Sequence, residues 1–269
     1  MLLPPHLVRP YRRRHQKTDR ADAKALLEAA RNEEIQPVPI KNSVAALHRL
    51  RSAWMATRTA RLNAVRGLLR ELGYFIPQGA NQVVPRVHEL IEDAENDLPD
   101  PLRLVLAEAC QEIRDLERRC TIVRKQLEAL APTIPAVEHL LSVPGIGILT
   151  ATALVAFVAE IHRFPSGRHF ASYLGLTPRE HSTGQRRRLG HISKQGDKYL
   201  RMLLIHGARS CLAAAKRCQK KDPLHAWALE VQQRRGHHRA TVALANKIAR
   251  IAWRVWKDDR DFSLVRRAA

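Results

Sequence analysis

Between residues 102 and 130 apolar side chains recur at alternating steps of four and three: Leu102, Leu106, Ala109, Ile113, Leu116, Cys120, Val123, Leu127 and Leu130. That spacing predicts a long helix with a coiled-coil seam of about four heptads. A second, weaker stripe runs through Leu47, Leu50, Trp54, Val65, Leu68 and Leu72, interrupted by Arg58 and Arg61. The stretch from 73 to 100 holds Gly73, Pro77, Gly79, Pro85 and Pro99, so it cannot be one continuous helix and lets the chain reverse. Residues 42–135 therefore read as an antiparallel helical arm. Its seam serves either a second subunit or an ordinary buried helix pair.

Beyond Pro132 and Pro135 the pattern changes. LLSVPGIGILTATALVAFVAEI (140–161) is an apolar helix end, a Pro-Gly-Ile-Gly turn and a helix of small residues. Gly145 and Gly147 can take positive φ and expose backbone N–H groups at a helix start, where an anion is favoured. This resembles a helix-hairpin-helix turn on a nucleic-acid phosphate, although two core helices packed tightly would use the same glycines. Residues 240–256, with Leu244, Ala245, Ile248, Ala252 and Val255 on one stripe, predict an amphipathic helix that closes a core. The fold class is mainly α.

Charge divides the chain unevenly. Residues 1–41 carry 9 basic and 5 acidic side chains, residues 42–135 carry 13 and 12, and residues 136–269 carry 24 and 9. The last part thus holds +15 of the formal +20. A block of that size raises a potential suited to a polyanion, with nucleic acid the leading partner and a merely solvated basic face the alternative. At 45% hydrophobic residues the chain can bury a core, yet no apolar run reaches the roughly 18 to 20 residues of a membrane span. The four cysteines form no CxxC pair, which suits reduced thiols in a cytoplasm. No zinc spacing or nucleotide-binding glycine motif is present.

Two constellations carry candidate chemistry. In KTDRADAKALLEAAR (17–31), Asp19 and Asp22 share a helix face and can hold a hard cation such as Mg²⁺, or cap and charge the first helical turn. In RRRLGHISKQGDKYLRMLLIHGAR (186–209), Arg186, Arg187, Arg188, Lys194, Lys198 and Arg201 surround the hydroxyl of Ser193. That serine is either a helix N-cap or a nucleophile toward a phosphodiester, its neighbouring cations stabilising the charge that develops. Asp197 reads as a charge partner for a nearby arginine. Tyr173 and Tyr199 either stack on nucleic acid or edge the core.

Taken in order, KTDRADAKAL, the coiled-coil stretch, LLSVPGIGILTATALVA and FASYLGLTPREHSTGQRRRLGHISKQGDKYLRMLLIHGAR resemble the insertion-sequence one-ten family of transposases, and LGLTPREHSTG and LGHISKQGD its eleven-eleven subgroup. The resemblance implies a RuvC-like domain of RNase H fold with a DEDD acid set, then a helical domain bearing a serine. It implies DNA strand exchange guided by a structured RNA, with Ser193 as nucleophile and Asp19 and Asp22 as the last two acids, binding Mg²⁺. The family's first Asp and its Glu lie ahead of the KTDRADA segment, and only 16 residues precede Lys17 here. The expectation is a truncated or mis-started frame: a RuvC-like remnant over 1–41 with at best a short strand in Leu2–Pro10, an incomplete metal site, the arm over 42–135 and a basic transposase domain over 136–269. A homo-oligomer formed through the coiled coil, in a bacterial cytoplasm at the nucleoid, is expected. The alternatives are a non-catalytic nucleic-acid-binding remnant and a helix-hairpin-helix junction-binding protein.

Overall fold

The computed structural model describes residues 42–184, 186, 188–217 and 222–263, together with 3, 8–11, 18–32 and 35. The chain divides into two compact units, Met1–Asn42 and Ser43–Ala269. In the first, helix α1 (Asp19–Arg31) begins where Thr18, in extended conformation, accepts the Ala21 N–H on its hydroxyl at 3.2 Å. Asp19 and Asp22 stand in the first turn, and Ala25 and Ala29 are buried. Arg9–Tyr11 form a 3-10 turn rather than the end of a strand, and the rest of the expected strand lies outside the described residues, Leu3 apart.

The second unit is mainly helical, in keeping with the sequence reading. Its arm is α2 (Ser43–Glu71), α3 (Ala80–Glu92) and α4 (Asp100–Leu130). Leu106, Cys110, Ile113, Leu116, Cys120, Val123 and Leu127 are the buried face of α4. Leu106, Ile113, Leu116, Cys120, Val123 and Leu127 of the expected stripe are thus buried, with Cys110 inside and Ala109 at the margin. Two apolar clusters order the pairing. Leu62, Val65 and Leu69 meet Leu106, Cys110 and Ile113, whereas Val44 and Ala45 meet Val123 and Leu127. Rising numbers on α2 face falling numbers on α4, so the two helices are antiparallel.

The stripe expected on α2 is only partly the buried one. Leu50, Leu68 and Leu72 are 39–50% exposed, while Leu62 and Leu69 are at most 4% exposed. The arginines that break the stripe explain the offset. Arg58, with its side chain 13% exposed, donates to Glu117, and Arg61 donates to Glu112 at 2.9 Å. These pairs fix the register across α2 and α4 while the apolar contact shifts around them. The 73–100 connection also contains α3, which tolerates Pro85 inside it and buries Val83, Val87 and Leu90.

The rest of the unit comprises α5 (Pro135–Leu141), α6 (Ile148–Val158), α7 (Gly167–Tyr173), a hairpin of β1 (Pro178–Glu180) and β2 (Leu189–Ile192), α8 (Lys198–Arg217), α9 (Pro223–Arg235) and α10 (His237–Lys257). α10 closes the core as its periodicity predicts, burying Leu244, Ala245, Ile248, Ala249, Ala252 and Val255. The hairpin is not foreshadowed by any apolar alternation, because its strands are short and exposed. Ser182-Thr183-Gly184, with Gly184 at φ +55°, is the turn signal that marks it.

The arm is joined to this core at one buried polar point. His48 on α2 is fully buried. Its Nε2 lies 2.9 Å from Thr152 Oγ1 and its Nδ1 3.0 Å from the Tyr199 hydroxyl. Thr152 donates its own proton to the Ile148 carbonyl at 2.6 Å, so it accepts from His48 Nε2–H and Tyr199 donates to Nδ1. Burial, reinforced by the charge of Arg51, pushes the His48 pKa down to about 4. No helix among the described residues is long and apolar enough to cross a membrane.

Candidate nucleic-acid interface

Ser193 sits on the loop between β2 and α8, and that loop is pinned from below. Its N–H donates to the Thr177 carbonyl at 2.8 Å, the Lys194 N–H donates to the Gly175 carbonyl at 3.1 Å, and Arg179 donates to the Ser193 carbonyl at 3.2 Å. Gly175 and Gly196 make the close approach possible. Both have positive φ, and a Cβ on Gly175 would lie 2.0 Å from the Gln195 carbonyl oxygen, one on Gly196 1.9 Å from that of Tyr173.

Ser193 is not a helix cap. Asp197 holds that position, its Oδ1 accepting the N–H groups of Tyr199 at 2.7 Å and Leu200 at 2.9 Å, so the arginine partnership expected for Asp197 is replaced by capping. The half-buried Ser193 has no side-chain hydrogen bond among the described residues.

The cations expected around Ser193 fall into three places. Lys194 is next to it, held at φ +55°, and the exposed Lys198 opens α8. Arg201 is turned inward: it is 9% exposed and donates to the carbonyls of Leu174 at 3.1 Å and Gln195 at 3.4 Å. It braces the serine loop from beneath. Arg186 pairs across to Thr183 at the hairpin tip; the Arg188 carbonyl accepts the His181 N–H at 2.8 Å, and its N–H donates to the Ser182 hydroxyl at 3.1 Å. Arg186 thus lies beyond the far end of β2 from Ser193. Arg187 lies outside the described residues. Arg179, which sequence reasoning passed over, is the cation in contact with the serine's backbone.

The Pro-Gly-Ile-Gly turn is elsewhere. Gly145 takes φ +86°, but Gly147 has φ −101° and caps α6. A Cβ on Gly207 of α8 would stand 1.9 Å from the Gly145 carbonyl oxygen, so the turn is packed backbone to backbone on α8. Gly207 is nine residues into that helix, about 14 Å from its start at 1.5 Å per residue. Tyr199 belongs to the His48 joint, and Tyr173 packs against Phe164 under the Arg163 guanidinium, 4.8 Å from the ring centre. Cys211, with His225 Nε2 at 3.2 Å and His225 in turn on Asp222, is enclosed, Cys211 6% and His225 5% exposed.

Asp19 is exposed and Asp22 half-buried, three residues apart on α1. Among the described residues no three His, Cys, Asp or Glu side chains gather as metal ligands. Two carboxylates alone are a partial donor set for Mg²⁺.

Residues 137–222 match the Transposase IS116/IS110/IS902 family. A Pseudomonas aeruginosa protein named a probable family 20 transposase is 40% identical over 94% of this chain and 75% of its own length. The transposase for insertion sequence element IS1111A of Coxiella burnetii is 36% identical over 94% of this chain and 70% of its own. That for element IS1328 of Yersinia enterocolitica is 32% identical over 97% and 78%. The chain belongs to the IS116/IS110/IS902 family of insertion-sequence transposases.

Proposed function

We propose that this transposase exchanges DNA strands through Ser193. The Ser193 oxygen attacks a phosphodiester phosphorus, forming the P–Oγ bond as one DNA P–O bond breaks. The serine proton leaves to solvent, and the departing DNA oxygen is protonated. A DNA hydroxyl then attacks the phosphoserine, breaking P–Oγ, restoring the serine and joining the new strand. Lys194 and Lys198 are placed to offset charge on the pentacovalent phosphorus, and Arg179 and Arg201 hold the loop that presents the oxygen. One observation carries the reading: a hydroxyl with no hydrogen bond to the described residues stands on a loop braced by two interlocked glycines and a buried arginine.

The finer expectations belong to the same proposal. Asp19 and Asp22 are the carboxylates we assign to Mg²⁺, which would help position the strands; because they form a partial set, no step above depends on the ion. The first unit is taken as the RuvC-like portion. A structured guide RNA selects the target, Gly145, Gly147, Arg186, Arg187 and Arg188 contribute contacts to the nucleic-acid backbone, and a second copy associates through the arm's outer face, because α2 already occupies the α4 seam. In the test, the purified chain is incubated with DNA bearing the ends of its element, and protein–DNA adducts are read on a denaturing gel. Ser193→Ala is expected to remove the adduct while leaving salt-sensitive DNA binding intact. An adduct that survives the substitution refutes Ser193.

A further inference from the structure

Beside the serine loop lies a groove of about 1450 Å³, bounded by the start of α7, the hairpin and the outer face of α10. Ile192 and Lys194, the two neighbours of Ser193 in sequence, both line it. Six Lys and Arg side chains and two histidines face into it, and no Asp or Glu does. Of those cations only Arg254 has a carboxylate partner among the described residues, Asp258 at 2.6 Å. Arg168, Lys194, Arg239, Lys247 and Arg250 have none.

On the arm, where basic and acidic side chains nearly balance, Arg58, Arg61, Arg86, Arg103, Arg118 and Arg124 each pair with a carboxylate, and the other seven Lys and Arg have no such pair among the described residues. In the groove, like charges crowd instead: burial and the nearby Arg250 both hold the Lys247 ammonium below its usual pKa. A concave wall of one sign focuses its field on whatever enters, and an anion arriving there relieves the repulsion.

We infer that this groove is a sequence-independent cradle for a nucleic-acid sugar–phosphate backbone, gripped by Arg239, Lys247 and Arg250 of α10 together with Arg168 and Lys194. The inference rests on the proposed function in assuming that the ligand is nucleic acid. Spacing sets the size of the ligand. Arg239 and Arg250 are eleven residues apart on α10, about 16 Å at 1.5 Å per residue. At about 3.4 Å of duplex axis per phosphate of one strand, a row lying parallel to that axis covers roughly five phosphates. A small anion would leave most of the volume empty.

The groove's aromatic residues point the same way. The Trp227 ring carries Lys247 Nζ 3.9 Å from its centre, and Trp253 is 8% exposed with its indole N–H on the Phe164 carbonyl. Lys247 thus covers one face of Trp227 and Trp253 is nearly enclosed, so the groups most open to a ligand are the cations, which suit phosphate. A strand lying there passes the loop that carries Ser193, which makes these cations positioning residues for the scissile phosphate.

The test is binding of the full chain to a labelled 30-base-pair DNA duplex of arbitrary sequence, followed by anisotropy from low to moderate salt. An RNA duplex and a single DNA strand of the same sequence serve as parallel probes that separate the sources of the backbone. The triple variant Arg239→Gln/Lys247→Gln/Arg250→Gln keeps the side-chain stems. It should lose about a hundredfold in affinity near 0.15 M salt on at least one probe, with the slope of log K against log salt shallower by about 2 to 3. Arg168→Gln/Lys194→Gln, which leaves α10 untouched, should lose about thirtyfold, a check that does not depend on the fold of that helix. Arg118→Gln/Arg124→Gln/Lys125→Gln removes the same charge from the arm and should bind like the parent.

Parent-like binding by both groove variants overturns the cradle, as does an equal loss in the arm variant. A parent chain with no salt-dependent binding to any probe overturns the proposed function itself.

Discussion

At the scale of single residues, the site is a matter of what each side chain leaves for Ser193. Serine is a preferred N-cap, and a serine just ahead of a helix was open to that reading; Asp197 takes the role with two backbone N–H groups and so releases the hydroxyl. Arg201 could be read from sequence as one more surface cation, since nothing in a basic run distinguishes an inward guanidinium from an outward one. Only the fold reveals that it is bonded to the Leu174 and Gln195 carbonyls. The glycines of LGL and SKQG were visible as motif letters, but their reason is tertiary: each lies under the other segment's backbone. Gly196→Ala must displace Tyr173 or the loop and also strain a φ of +96°. It should cost about 2 kcal/mol or more in thermal or denaturant unfolding and lower adduct yield as Ser193 shifts.

At the scale of elements, the α4 seam was legible because one face of one helix stays buried along its length. The α2 stripe was not, because that helix meets α4, α3 and α6 in turn, and its buried face drifts to suit each. Ile113, fully buried at the middle of the α4 seam, tests the pairing. Ile113→Ala should cost about 2 to 5 kcal/mol in denaturant unfolding.

His48 ties the arm to α6 and α8 in its neutral form. The unfolded chain protonates this histidine near pH 6.5, the folded chain only near 4. Its contribution is therefore complete above pH 6.5 and is lost as pH falls toward 4, by up to about 3 kcal/mol. His48→Gln should show a smaller fall in stability than the parent between pH 7 and pH 4.5, measured by urea unfolding at each pH. An identical fall in both proteins would remove His48 from the joint.

At the scale of the whole molecule, the partition of charge was readable and its arrangement was not. Residues 136–269 hold 24 basic and 9 acidic side chains. Periodicity placed a closing helix at 240–256, but only its packing reveals that the opposite face, with Lys247 and Arg250, walls a groove beside Ser193. The short exposed hairpin carries no apolar signal, so Arg186 could not be assigned to its far end in advance.

The most direct measurement is digestion of the covalent complex, followed by mass spectrometry of the peptide that retains a nucleotide. The account predicts that the phosphate is attached to Ser193. Attachment to any other side chain, or no covalent species from the parent chain on element-end DNA, contradicts it.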